Sequence, residues 1–415
     1  MHEIINLTNG VRIIYEKMPY VRSAAVGIFV NVGSRDEKAI ENGSAHFIEH
    51  MLFKRTSKHS ASELASAMDA IGGQINAYTT RENTCFYARV LDTHLNMAID
   101  ILSEMFFDCA FDEEETDSER GVILEEIGMY EDTPDDACYE KLMATSFKGA
   151  LGRPVLGKPA TLSKMTGVSL REYKESHYAA ESIIISLCGN FDDSHLKLIA
   201  ERFSVLEKAK QVGPRKTEYS SHVSVRRKKT EQNQFCLAFP SSSISSDDRF
   251  ALNLLSTILG GGVSSRLFQN IREKYGLCYS IYSFQTSFED TGILSVATAV
   301  NKETEMKALG LIGDELRKFV QDGVGADELQ RAKEQAKSSL VMGLESTNSR
   351  MLKLGNSLLA LGKCLTTDEI LECYDEVTCE GILRLAQARF DFSRMSLSAL
   401  GKTESEDKYL KALGL

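Results

Sequence analysis

A chain of 415 residues is long enough for two large domains or three ordinary ones, each with its own core. Its 48 Lys and Arg against 59 Asp and Glu give a formal charge of −11, the wrong sign for a typical nucleic-acid binder, and neither DNA nor RNA is expected as a partner. Hydrophobic residues at 43% and charged residues at 26% match ordinary globular proteins, and no apolar run approaches the roughly 18 residues of a membrane span.

The first residues, MHEIINLTNGVRIIYEKMP, show no apolar stretch behind a basic start, so no targeting segment is expected and a cytoplasmic location fits. Strands are predicted at Ile4–Asn6 and Val11–Tyr15 around the Asn9-Gly10 turn, then at Ala24–Val32. Apolar residues at three- and four-residue spacing predict helices over Ala61–Ile71, Thr93–Phe107 and Glu113–Tyr130, with Gly72-Gly73 ending the first. Gln74–Tyr78, Thr84–Val90 and Ser182–Cys188 read as strands between and after them. Nine Cys from Cys85 to Cys379 form an odd set without a C-x-x-C pair, which argues against a disulfide framework and against a thiolate zinc site.

From Glu207 to Thr230 the apolar period lapses into polar sequence with Gly213-Pro214 and a basic end, and a linker is placed at 209–229. The run Arg226–Lys229 reads either as a patch for an anionic partner or, more plainly, as a solvated linker or edge strand. The same rhythm then repeats. Gln234–Phe239 is a predicted strand, Asp247–Leu259 a helix, and the loop Gly260–Gly262 leads to a helix near Arg266–Lys274. Strands follow at Ser280–Phe284 and Gly292–Ala299, and helices from Lys302 and Ala326. IGGQINAYTTRENTCFYARV in one half has a weak echo in YGLCYSIYSFQTSFEDTGILSVATAV in the other. The expected fold is α+β: two homologous α/β domains, 1–208 and 230–415, each a mostly antiparallel sheet packed by helices.

H-F-I-E-H, from His46 through Glu49 to His50, carries the sharpest chemistry. Two His at i and i+4 share a helix face and can share a metal, and the Glu beside them can reach a water on that metal. Hydrolytic zinc sites use three protein ligands, often with a carboxylate beside two His. Glu126 and Glu119, seven residues apart on one face of the same predicted helix, are candidates: one for the metal, the other to orient it or a ligand. Glu113–Glu115 read as a solvated acidic face. The glycine loop GGGVSSR does not fit a phosphate-binding P-loop, and Gly401-Lys402-Thr403 has Ser396 where that motif needs glycine.

The order H-x-x-E-H is the inverted zinc motif. With HFIEHMLFK, IGGQINAYTTRENTCFYARV, ERGVILEEI and GGGVSSRLFQNIREKYGLCYSIYS in order along nearly the whole chain, the sequence resembles the pitrilysin, insulysin and mitochondrial processing peptidase family, specifically its shorter, two-domain bacterial members. The resemblance implies a zinc metalloendopeptidase with one Zn2+ per chain, held by His46, His50 and Glu126, with Glu49 as general base. Glu119 matches the family's second acidic position. It further implies that Asn76 and Ala77 lie on a strand that pairs with an extended peptide substrate, and that Arg272 and Tyr279 bind substrate and stabilise the tetrahedral intermediate. Arg55 departs from the glycine more usual after F-K. With two domains where long members have four, a homodimer enclosing a chamber is expected; the Arg and Tyr pair beside the zinc motif in one chain favours it over a heterodimer, and the presence of His46, Glu49, His50 and Glu126 favours an enzyme over a catalytically silent scaffold subunit.

Overall fold

The structure, a computed structural model, describes residues 2–208 and 216–415. The chain divides into two compact units, Met1–Ile127 with Arg153–Pro214 and Met342–Thr366, and Gly128–Gly152 with Arg215–Val341 and Thr367–Leu415. No helix among the described residues is long and apolar enough to cross a membrane.

The first unit is built on a six-stranded sheet ordered β1-β2-β6-β3-β5-β4. Its strands are β1 (Glu3–Asn6), β2 (Arg12–Lys17), β3 (Ser23–Val30), β4 (Gln74–Thr79), β5 (Thr84–Leu91) and β6 (Ile183–Gly189). Only β2 and β6 run parallel. Alternation along the strands sends Val26, Ile28 and Val30 to one face, where α1 (Ser44–Leu52), α2 (Ala61–Ala70), α3 (Leu95–Asp108), α7 (Gly167–His177) and α8 (Asp193–Phe203) close a large core. The long α4 (Glu113–Asp132) and the single-turn α6 (Pro159–Leu162) complete this part of the chain, α4 passing out of the unit at Ile127.

The second unit has a five-stranded sheet ordered β7-β11-β8-β10-β9, from β7 (Val223–Arg227), β8 (Asn233–Ser241), β9 (Cys278–Ser287), β10 (Gly292–Val300) and β11 (Ser396–Gly401). Again one pair, β7 and β11, is parallel and the others antiparallel. Strand for strand, it repeats β2-β6-β3-β5-β4. Around it lie α9 (Arg249–Gly260), α10 (Glu305–Asp322), α11 (Ala326–Gly343), α13 (Thr367–Asp375), α14 (Cys379–Arg389) and α15 (Glu406–Ala412). The expected helix near Arg266–Lys274 is a π-helical stretch, Phe268–Glu273.

Each sheet's other face is covered by one helix from the far half of the sequence. Helix α12 (Thr347–Leu361) sets Met351, Leu354 and Leu358 against Ile14, Phe29 and Ile184 of the first sheet. Helix α5 (Pro134–Ser146) sets Leu142 and Met143 against Cys236, Ala238 and Leu400 of the second. Gly355 is needed where α12 crosses Phe29, since a Cβ there would stand 2.2 Å from the ring. A division at 1–208 and 230–415 therefore assigns residues 128–152 and 342–366 differently from the packing. Of the expected linker, 209–215 with Gly213 and Pro214 lies outside the described residues, and Val223–Arg227 is β7 rather than linker.

Candidate metal centre

Helix α1 is short and, save for Ser44, His46, Glu49 and His50, apolar: Phe47, Ile48, Met51 and Leu52 are buried in the core of the first unit. Its N-terminus turns on Gly43, whose φ of +105° and close approach to Gly157 leave no room for a side chain. Two of the helix's first backbone donors, Gly43 N and Ala45 N, go to the buried Glu37 carboxylate at 2.8 and 2.9 Å, and Asn42 Nδ2 adds a third bond at 2.9 Å. Burial pushes the Glu37 carboxyl up to about 7, against the pull of these donors.

The i, i+4 spacing brings the rings of His46 and His50 to 4.6 Å between centroids. Glu126, from α4, places Oε2 3.6 Å from Nε2 of each. That is beyond hydrogen-bonding reach, and the buried Oε2 has no hydrogen-bond partner among the described residues. Two ligands about 2.0–2.1 Å from one tetrahedral ion stand about 3.3 Å apart, so three donors arranged in this way suit a metal better than one another. His46, His50 and Glu126 form the one such cluster among the described residues. Two imidazoles and a carboxylate suit zinc.

Glu119 does a different job from Glu126. It is 4% exposed, accepts from His50 Nδ1 at 2.7 Å, and is also bound by Lys54 Nζ. With the proton on Nδ1, His50 turns the lone pair of Nε2 toward Glu126 and His46. Burial raises the Glu119 carboxyl, but His50 and Lys54 outweigh it and hold it below the usual value. Burial, then His50, lowers His46 to about 4, which keeps it neutral and able to donate a lone pair. For His50 burial is outweighed by Glu119 and Glu126, which raise it to about 9.

Glu49 lies on the same short helix, half-buried, and accepts a hydrogen bond from Thr79 Oγ1 at the end of β4. Burial pushes its carboxyl above the usual carboxylate value, and the Thr79 hydroxyl opposes this. Asn76 and Ala77 lie on β4, one of the two edge strands of the sheet. The Ala77 N–H is held at 2.8 Å by the Asn76 side chain. In the second unit Arg272 and Tyr279 come together, the guanidinium 5.1 Å from the phenol ring and 4.4 Å from Phe268, with Tyr279 79% exposed at the start of β9. Arg55 is an exposed residue after α1 whose N–H bonds Glu115 at 3.2 Å.

Sequence reasoning missed Glu37, Lys54 and Thr79. Glu37 carried a readable signal, an acid shortly before a helix N-terminus; the partners of Lys54 and Thr79 come from distant segments and left none.

Two family models cover most of the chain: insulinase (peptidase family M16) matches residues 12–159, and the peptidase M16 inactive domain matches 164–336. The chain is 42% identical to an uncharacterized zinc protease of Bacillus subtilis (strain 168), YmxG, over 96% of its own length and 98% of the relative's. It is 39% identical to another, SCO5738 of Streptomyces coelicolor, over 95% and 88%. The crystal structure of a protease from Helicobacter pylori shares the fold at a TM-score of 0.90, with 20% identity over 97% of this chain and 99% of that one. With family models and full-length relatives in agreement, the chain belongs to peptidase family M16, the insulinase family, as one of its shorter, two-domain members.

Proposed function

We propose that the protein is a zinc-dependent metalloendopeptidase that hydrolyses unfolded peptides or precursor segments. The observation that carries this reading is the buried, unpaired Glu126 Oε2 equidistant from two imidazoles, with Glu49 on the same helix. His46, His50 and Glu126 would hold one zinc ion, and Glu119 keeps His50 in the ligating tautomer. When bound, zinc supplies a Lewis acid for the scissile carbonyl and for the attacking water. Glu49 takes a proton from that water and passes it to the leaving amine, two transfers suited to a half-buried carboxyl with a raised pKa. An extended substrate adds as a strand along β4, exchanging the local Asn76 bond to Ala77 N for its own backbone carbonyl.

Arg272 and Tyr279 act as donors to the substrate and to the developing oxyanion. In this proposal they serve the zinc centre of a second copy of the chain, so that a homodimer encloses the reaction in a chamber. The relatives named as zinc proteases support the peptidase reading.

The deciding experiment is cleavage of a quenched fluorescent peptide library by zinc-loaded wild type beside Glu49→Gln at equal metal content. Cleavage by wild type alone supports the reading; no cleavage by either, with zinc bound, sinks it in favour of a silent subunit. Mixing inactive Glu49→Gln with inactive Arg272→Ala tests the dimer. Sites completed between chains regain activity on mixing, whereas sites completed within one chain do not.

A further inference from the structure

The repeated topology puts one backbone frame in two places with different side chains on it. In the first unit parallel strands β2 and β6 end side by side at Lys17 and Gly189; in the second β7 and β11 do so at Arg227 and Gly401. Both glycines have positive φ, +128° and +138°. Both accept, on their carbonyl oxygens, the N–H of the residue following the neighbouring strand, Met18 at 2.7 Å and Lys228 at 3.0 Å.

Over the first frame the space is filled and the charge matched. Phe191, two residues after Gly189, packs edge-on against Tyr15 at 6.0 Å with Lys17 above its ring, and Lys17 bonds Asp193 at 2.6 Å. Over the second frame the corresponding residue is Thr403, and an open cleft of about 450 Å³ remains, lined by Arg227, Lys228, Lys229, Gly401, Lys402 and Thr403. Thr403 is 5% exposed, and its Oγ1 has no hydrogen-bond partner among the described residues. A buried hydroxyl without a partner is costly unless a ligand supplies one.

Of the cleft's cations, the nearby acids pair with Lys228. Lys302 and Lys408 bridge Glu404, Asp132 binds Lys228, and Glu231 lines the adjoining hollow. Arg227, Lys229 and Lys402 have no carboxylate in ion-pairing range among the described residues. We propose that this cleft binds a phosphate group, either free phosphate or polyphosphate or the phosphate of a small ester. Arg227, Lys229 and Lys402 supply the charge and Thr403 Oγ1 a hydrogen bond. It is not a P-loop, since Ser396 stands where the motif's first glycine belongs. The inference is independent of the peptidase reading.

Calorimetric titration of the full-length protein with orthophosphate, pyrophosphate and adenosine monophosphate, each at low salt, tests it. One saturable site per chain is expected, weakened by about 0.5 M salt. The double variant Lys229→Ala/Lys402→Ala, at two exposed positions, should bind at least about tenfold more weakly. Thr403→Val should bind a few-fold more weakly, and Lys17→Ala, at the matching place in the first unit, as wild type does. Stronger binding of pyrophosphate than of the monoester identifies free phosphates as the source, and the reverse identifies an ester. No saturable binding of any of the three up to about 10 mM, or equal binding by the double variant, overturns the proposal.

Discussion

The two units share a five-strand topology and even the way a helix from the opposite half of the sequence closes each sheet, yet the His46, His50 and Glu126 cluster, whose donors could hold a metal, lies in the first. Helix α1 follows β3 and carries His46, Glu49 and His50; its counterpart after β8, α9, reads RFALNLLSTILG and buries Leu252, Leu254, Leu255, Ile258 and Leu259. One copy keeps a plain apolar contact there. The other surrenders part of it to wholly or partly buried ionisable groups: His50 has Glu119, Glu119 has Lys54 and Glu49 has Thr79, while the buried Nδ1 of His46 has no partner among the described residues. The lesson is that a helix–sheet frame is indifferent to what three positions on one helix carry, provided the surrounding shell satisfies them.

The largest effect should come from Glu49→Gln. With Glu49 as the proposed base and not a ligand, peptide cleavage should fall about 10²–10⁴-fold while metal analysis shows unchanged zinc. Loss of zinc together with activity would mean that Glu49 belongs to the binding set. Glu126→Gln should have the opposite signature, metal lost first.

Glu119→Gln should weaken metal binding about 10–100-fold by releasing the His50 ring. This variant also carries a pH signature. His50 is raised to about 9, so at pH 7 a metal must displace a proton, and wild-type affinity should climb about tenfold per pH unit from 7 toward 9. Without the carboxylate at 119 that climb should level off at lower pH, as chelator competition at pH 7, 8 and 9 would show.

The helix exchange can be broken from either side. Met351→Ala in α12 and Leu142→Ala in α5 should each cost about 2–5 kcal/mol, as buried large-to-small changes do. Hydrogen exchange should speed up in β3 and β6 for the first variant and in β8 and β11 for the second. Faster exchange in the wrong sheet would contradict the exchange.

The smallest effect separates Asp192 from Glu404, each three residues beyond its unit's strand-ending glycine and each held at about 2. Ser194 hydrogen bonds lower the first; Lys302 and Lys408 lower the second. Both folded-state values lie below the ordinary one, so the stability they contribute is present above about pH 4 and is lost as pH falls toward 2. Salt at about 0.5 M should erase the Glu404 contribution but spare that of Asp192, measured as the melting-temperature difference from each alanine variant.

Local geometry made much of the centre legible. Residues four apart on a helix must share a face, so His46, His50 and the adjacent Glu49 could be joined before any fold was known, and the hairpins β4-β5 and β9-β10 were visible as alternating runs. Glu119 and Glu126 were both visible as acids on one helix face, but spacing alone left their roles interchangeable. Only the packing of α4 sets Glu126 at the Nε2 atoms and Glu119 at Nδ1. The partners of α5 and α12 were likewise beyond the sequence, because an apolar stripe states that a helix is covered and not by which sheet. The part of the design that is periodic within a few residues was determined by sequence itself; the exchange of helices, the Glu37 anchor and the empty place beside Thr403 arise from contacts between distant segments, and only tertiary structure decided them.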